Sequence, residues 1–232
     1  MIRIRLERAP RVVADLHLRP EEPEEIAAFA AQVRELAGAG ADLAVLGDLV
    51  DAWPGPGHWR EPAWAPLLAA ARELTAAGGR LWLLRGNRDV LFEPADLAPL
   101  GARLADALLA PAEEGLALLS HGDEYCLRDR PYQRLRRALR WPPLRRLLRA
   151  LPYRLRLRLA ARMRGVSRAA VARKPLDALA LEPAAVAAAL AEAGAGLAVI
   201  GHLHREEQRE LPGGLRLRVL PAWSPERPPA AI

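Results

Sequence analysis

Gly86-Asn87-Arg88-Asp89 follows the apolar run Leu81-Trp82-Leu83-Leu84 and contains the only asparagine in a chain of 232 residues. The run reads as a buried strand, and Gly86 lets the backbone turn sharply where it ends. Asn87 placed there presents a neutral amide oxygen above a sheet. Read alone, the tetrapeptide is good turn chemistry. Four other polar clusters alter that reading, because each also closes an apolar, strand-like run.

Toward the N-terminus, residues 11–14 lead into Asp15-Leu16-His17, and residues 43–46 lead into Gly47-Asp48-Leu49-Val50-Asp51. Toward the C-terminus, residues 115–120 end in Ser120-His121-Gly122-Asp123, and residues 197–200 end in Gly201-His202-Leu203-His204. Helical periodicity covers residues 24–37, with Ile26, Phe29, Val33 and Leu36 on one face, then about 62–77 and about 183–193. A short strand is expected near residues 106–109. A closing hairpin is expected over 206–211 and 215–220, around Pro212-Gly213-Gly214. Residues 1–10 suit an edge strand, and the Pro-rich tail 224–232 is expected to be loose. Strands alternating with helices predict an α/β domain with the polar clusters at the carboxyl edge of a sheet, where such folds place ligands.

Composition narrows the classes. The single cysteine excludes a disulfide framework and fits a reducing compartment. No stretch has the layout of a signal peptide, and no run approaches the roughly 18 apolar residues of a membrane span. A cytoplasmic protein of one domain is expected. Of 34 basic residues all but Lys174 are arginine, and their distribution is uneven. Residues 126–174 carry a local charge of +16, which leaves −10 on the rest of a chain of net charge +6. Such a segment suits anionic lipid, nucleic acid or a phosphorylated substrate, and equally suits a solvated helical surface. Leu144, Leu147, Leu148 and Leu151 form one helical stripe in it, and Pro142-Pro143 and Pro152 divide it into three helices. Its aromatics are few (Tyr132, Trp141, Tyr153), which disfavours a base-stacking platform for nucleic acid.

The strand-end residues Asp15, His17, Asp48, Asn87, His121, His202 and His204 form one donor set that holds four of the five histidines; only His58 lies elsewhere, in a loop. Oxygen and nitrogen donors without thiolate suit Mn, Fe, Zn or Mg. Seven donors exceed one tetrahedral ion but serve two ions that share a carboxylate. A paired site about 3.5–4 Å across activates water and clamps a phosphoryl oxygen. Each motif is weak or moderate alone; all five in this order at strand ends are specific.

This order resembles the calcineurin-like metallophosphoesterases, whose motifs run Asp-x-His, Gly-Asp, Gly-Asn-(His/Arg)-(Asp/Glu), His-Gly and Gly-His-x-His. The resemblance implies a four-layer α/β/β/α sandwich over residues 1–232. It implies one ion on Asp15, His17, Asp48 and His204, and another on Asp48, Asn87, His121 and His202, with Asp48 as the bridge. Within that family, Gly-Asn-Arg-Asp, then His121-Gly122-Asp123 with Cys126, Asp129, Tyr132, Gln133 and Arg136, then residues 160–164 with Ser167 and Lys174, look like the UDP-2,3-diacylglucosamine pyrophosphatase branch of lipid A synthesis. Val50-Asp51 and Leu203 depart from that branch's usual residues without removing a ligand. The branch implies hydrolysis of UDP-2,3-diacylglucosamine to UMP and the acylated sugar phosphate, with Asn87, Arg88 and His121 at the chemistry. Substrate contacts are implied at Asn87, Arg88, Asp129, Tyr132, Arg164, Ser167, Lys174 and His202. A helical lid over about 126–175, two divalent ions with Mn2+ foremost, a monomer, and peripheral attachment to the cytoplasmic face of the inner membrane are implied as well. The alternatives are a related two-metal phosphoesterase with another phosphodiester substrate, or a polyanion-binding protein with a non-catalytic metal site.

Overall fold

Short apolar strands alternate their side chains between two faces, and here both faces are covered. The computed structural model describes residues 3–171 and 180–232. The parallel strands β2 (Arg11–Val13), β3 (Leu43–Val45), β4 (Leu81–Leu84) and β5 (Arg103–Ala105) form one sheet in that order. Strands β1 (Arg3–Arg5), β6 (Ala107–Pro111), β7 (Leu116–Ser120), β8 (Leu197–Ile200), β9 (Glu207–Leu211) and β10 (Leu215–Val219) form the other, in the order β1-β6-β7-β8-β10-β9.

The alternation produces three cores. Val13, Val45, Leu81 and Leu83 face Ile26 and Phe29 of α1 (Pro23–Gly38) and Leu67 and Leu74 of α2 (Ala65–Ala76). The opposite side of the same strands puts Val12, Ala44, Trp82 and Leu84 against Leu108, Leu119 and Val199 of the second sheet. The second sheet then turns Leu118, Ile200 and Val219 toward Val186 and Leu190 of α6 (Pro183–Ala193). Helix, sheet, sheet, helix is the four-layer architecture expected from the sequence.

Two local expectations differ. The strand expected near 106–109 is two strands, β5 and β6, which belong to different sheets and are separated by Asp106 alone. The tail is not loose. Val12 and Ala230 exchange both backbone hydrogen bonds, each at 2.8 Å. The Trp223 Nε1–H donates to Gln32 Oε1 at 2.8 Å, and Gln32 Nε2 donates to the Pro225 carbonyl at 2.8 Å. The physical reason is that β2 is an edge strand, and the tail covers its open hydrogen-bonding groups.

Residues between the last two motifs form α3 (Arg130–Arg140), α4 (Pro142–Ala150) and α5 (Tyr153–Val171), with the breaks at Pro142 and Pro152 that the prolines predict. Their arginines are not simply a solvated surface. Arg136 pairs with Asp123 at 2.7 Å, Arg145 with Glu93, and Arg149 with both oxygens of Asp96, whose side chain is 1% exposed. The basic segment and the acidic body thus neutralise one another across their contact.

Candidate metal centre

The loops after β2, β3 and β4 and those after β7 and β8 meet at the carboxyl ends of their strands, at the seam between the two sheets. They bring together the seven strand-end donors. The His17 and His204 Nε2 atoms lie 3.1 Å apart, and each of these histidines has a ring nitrogen 3.8 Å from a carboxylate oxygen, Asp48 Oδ2 for His17 and Asp15 Oδ1 for His204. Beside them, Asn87 Oδ1 lies 3.1 Å from both His121 Nε2 and His202 Nδ1, and those two nitrogens are 3.2 Å apart. Asp48 Oδ1 is 3.8 Å from His121 Nε2, so Asp48 stands between the two groups.

The backbone is strained at this place. Among the described residues, every non-glycine with positive φ is a donor: Asp15 (55°), His17 (50°), Asp48 (55°), His202 (69°) and His204 (54°). Side chains in this region cost on the order of 1–3 kcal/mol each, and such residues collect at functional sites. Hydrogen bonds hold them there. The His17 N–H donates to the Asp48 carbonyl at 2.9 Å, the His202 N–H to Asp15 Oδ2 at 2.7 Å, and the Arg88 N–H to Asp48 Oδ1 at 2.9 Å. Gly86 is required because a Cβ there would stand 2.0 Å from Asp48 Oδ1.

Electrostatics point the same way. Burial pushes Asp48 up to about 8, with Asp89 and Asp15 adding to it and His121 opposing, and burial likewise raises Asp15. For His121 burial works downward, but Asp48, Asp15 and Asp123 outweigh it and hold the imidazole at about 9. Burial, reinforced by neighbouring cationic groups, pushes His17 and His202 down to about 3. The neutral imidazole is the metal-binding form. Asp15 Oδ1 and His17 Nδ1 are buried without a hydrogen-bond partner. Orphaned buried donors, facing nitrogens and two carboxylates that resist charging alone fit cations. Asp15, His17 and His204 form one group with metal-ligand spacing, and Asp15, Asp48 and His121 another. The donor set therefore suits divalent metals.

Comparison with known proteins then places the chain. A UDP-2,3-diacylglucosamine hydrolase from Sodalis glossinidius is 37% identical over 212 residues, covering 91% of this chain and 88% of that protein. Proteins of the same name from Bordetella parapertussis (37% over 219 residues, 91% and 84% covered) and Ralstonia nicotianae (38% over 221 residues, 91% and 82%) agree. This chain belongs to the UDP-2,3-diacylglucosamine hydrolase family. No family model matches the chain. Among solved structures, a dimetal phosphatase from Danio rerio superimposes with a TM-score of 0.48 at 13% identity, covering 95% of this chain and 89% of that one.

In this member of the hydrolase family a cavity of ≈ 140 Å³ adjoins the donors. Asn87, Arg88 and Asp123 line it from the body, and Leu139, Leu148, Leu159 and Met163 line it from α3, α4 and α5. Tyr132 also lines it, its ring 6.1 Å from that of His202 and its hydroxyl donating to Asp123 at 2.5 Å. No ion pair joins Arg88 to Asp89, whose oxygens instead accept backbone hydrogens from Gly86 (2.7 Å) and Leu49 (2.9 Å). Asp129 is buried, accepts the Tyr132 N–H at 3.2 Å and caps α3; it does not line the cavity. The side chains of Arg164 and Ser167, on α5, and the whole of Lys174 lie outside the described residues. His58, left out of the donor set, is buried with its ring 5.1 Å from Trp64 and its Nδ1 3.0 Å from Glu61 Oε1.

Two residues escaped the sequence reading as individuals. Asp89 ties the loop after β3 to that after β4. Asp123 joins α3 to the loop of His121, receiving Tyr132 and also Arg136 Nε at 2.7 Å. Burial would raise the Asp123 carboxyl, but His121, Arg136 and Arg140 hold it well below the usual carboxylate range. Both lie inside quoted motifs, and that position was their only signal.

Proposed function

We propose that this chain hydrolyses the pyrophosphate bond of UDP-2,3-diacylglucosamine, releasing UMP and 2,3-diacylglucosamine 1-phosphate. The observation that carries the reading is one cavity that joins phosphate-side groups, Asn87 and Arg88, to an apolar wall on three helices. A ligand with a charged pyrophosphate and acyl chains matches both walls. The curated relatives bear the name of that substrate.

Divalent ions, with Mn2+ as the proposed pair, would supply an activated water and draw charge from the phosphoryl oxygens. Asp15, His17, Asp48 and His204 would hold one, and Asp48, Asn87, His121 and His202 the other. Neutral Asn87 ligates without cancelling the positive charge that an anionic ester needs. The Arg88 guanidinium, whose Nε is buried without a hydrogen-bond partner, offers donors to the equatorial oxygens in the transition state. The sugar phosphate leaves readily and needs no strong acid. Tyr132, His202, Asp129, Arg164, Ser167 and Lys174 complete the proposed substrate set, Asp129 acting by fixing the start of α3.

Residues 126–175 serve as a lid within a single domain. Trp141 and Leu147, 60% and 62% exposed, give it an outer apolar surface beside arginines, which suits a monomer resting on the cytoplasmic face of an anionic membrane. Among the described residues no helix is long and apolar enough to cross a membrane. Commitment of Arg136, Arg145 and Arg149 to body carboxylates speaks against a nucleic-acid partner.

The test is hydrolysis of UDP-2,3-diacylglucosamine with Mn2+, with and without chelator, beside UDP-N-acetylglucosamine and bis-p-nitrophenyl phosphate. Metal-dependent UMP release from the diacylated substrate is expected. Turnover of the small diester alone would retain the metal centre and discard the lipid substrate.

A further inference from the structure

Among the described residues four arginines line the cavity: Arg88, Arg136, Arg140 and Arg156. Arg136 Nε stands 2.7 Å from Asp123 Oδ2, and Arg140 Nη1 stands 3.6 Å from Asp106 Oδ1. Arg88 serves the phosphate in the reaction proposed above. Arg156 is left without a task. Its guanidinium forms neither a hydrogen bond nor an ion pair among the described residues, and its Nε is buried. Burial and the neighbouring Arg149 pull its pKa below the ordinary guanidinium value, although Asp96 and Tyr153 oppose them. A cation set into an apolar wall without an acceptor is costly.

Its position is nevertheless fixed. Helix α5 turns Arg156, Leu159, Ala160 and Met163 to the cavity at i, i+3, i+4 and i+7, and Arg156 is the one charge in that stripe. A Cβ on Gly55 would stand 2.4 Å from Arg156 Nη1, 2.8 Å from Cζ and 2.9 Å from Nη2, so the guanidinium occupies the place of a side chain there. The loop that receives it, Pro54-Gly55-Pro56-Gly57, contains no carboxylate. One turn earlier on α5, the Tyr153 hydroxyl donates to Glu61 Oε1 at 3.2 Å and ties the start of the helix to the body. An arginine that only covers apolar surface carries its head out to water; this head is pressed against the loop at the cavity wall instead.

We propose that Arg156 is a specificity-determining residue whose terminal nitrogens donate to the carbonyl oxygen of one acyl linkage of the substrate, the ester or the amide. Asn87 and Arg88 serve the phosphate side of the cavity, whereas Arg156 shares its wall with Trp53, Leu148 and Leu159. A ligand's acylated half belongs against that wall, and its acceptors nearest the chains are those two carbonyls. A guanidinium donating to one of them makes a charge-assisted hydrogen bond. A ligand without the carbonyl leaves the cation unpaired and is disfavoured. The inference rests on the acylated-sugar reading above and names a contact that this reading lacks.

Arg156→Met keeps an unbranched stem against the wall and removes every donor. With Mn2+ present, kcat and KM are measured on UDP-2,3-diacylglucosamine and on bis-p-nitrophenyl phosphate, which has no acyl carbonyl. The variant is expected to raise KM for the acylated nucleotide so that its loss of kcat/KM there exceeds its loss on the diester by about 10- to 100-fold, the value of one hydrogen bond to a charged group. Arg156→Lys, which keeps a charged donor, should recover part of the loss. Equal losses on both substrates would make Arg156 merely structural and overturn the inference. Analogues whose ester or amide carbonyl is replaced by a methylene, one linkage at a time, supply a second measurement. One of them should cost the wild type a similar factor and cost Arg156→Met almost nothing further. Wild-type indifference to both replacements overturns the inference even if the variants fold poorly. A wild type inert on the acylated nucleotide overturns the functional reading and this contact together, whereas an active wild type with an indifferent Arg156→Met overturns the contact alone.

Discussion

His17 and His204 meet through their Nε2 atoms at 3.1 Å, although one follows β2 of the first sheet and the other β8 of the second. Both belong to loops held at positive φ. Two imidazole nitrogens at this distance are stabilised when a cation lies between their lone pairs. Mn2+ is therefore expected to raise Tm in a concentration-dependent way, by about 2.7 kcal/mol of stability at 100 times the dissociation constant. His17→Ala should lower metal stoichiometry and the Tm gain together. An unchanged Mn2+ titration in that variant would exclude His17 as a ligand.

The metal-free protein should lose stability above neutral pH. Asp48 is raised from 3.8 to about 8 and His121 from 6.5 to about 9, so the folded state binds protons more tightly than the unfolded chain at both. For such groups stability present below the unfolded pKa is lost as pH rises through the folded one. His17 and His202, pushed down to about 3, act oppositely, but their effect is complete once pH exceeds about 6.5. Thermal melts in chelator should thus decline from pH 6.5 to 9, and saturating Mn2+ should flatten the decline. A flat chelated profile would contradict this assignment.

Asp89→Ala should destabilise the fold and the centre at once. It strands the buried Gly86 and Leu49 N–H groups, which Asp89 accepts at 2.7 and 2.9 Å. Each unsatisfied donor costs about 1–3 kcal/mol, so a total loss of about 2–6 kcal/mol is expected. Urea denaturation measures it, with metal affinity as the second readout.

Arg149→Ala should loosen the helices without touching the donors. It removes a two-pronged partner from Asp96, which also accepts the Trp53 Nε1–H and the Glu93 N–H. Leaving that buried carboxylate without its cation should cost about 3 kcal/mol. Limited trypsin digestion should then cleave first within residues 130–171. Asp96→Asn in the same background should restore part of the loss, and no restoration would show that the pair is not coupled.

Trp141→Ala should leave stability within about 0.5 kcal/mol, as befits a residue 60% exposed. Sedimentation with phosphatidylglycerol vesicles should fall relative to the wild type. Equal sedimentation of both proteins would remove Trp141 from the membrane-facing surface.

The donor residues were legible because they are rare residue types at the ends of apolar runs, in a chain rich in Ala, Leu and Arg. Helix α6 and strand β8 fall where periodicity puts them. Strand β5 was not legible: Arg103-Leu104-Ala105 has one large apolar residue, and its pairing with β4 is a tertiary fact. The tail misled for a related reason, since proline content says nothing about an open strand edge elsewhere that needs covering. Charge counting located the basic segment but not its direction. That Arg136 and Arg149 turn inward while Trp141 turns outward depends on which side of each helix meets the body.

The centre spans two sheets, and its consequence reaches beyond the loops. Trp82, Leu84, Leu119 and Val199 fill the layer between the sheets. Their combined thickness sets how far Asn87, after β4, stands from His121, after β7. This layer works as a spacer, and its side-chain volumes act as the adjustment screw of the gap between donors that face one another from the two sheets. Selection for a different ion size would accordingly find productive substitutions in this greasy interior, at residues that touch neither ion nor substrate.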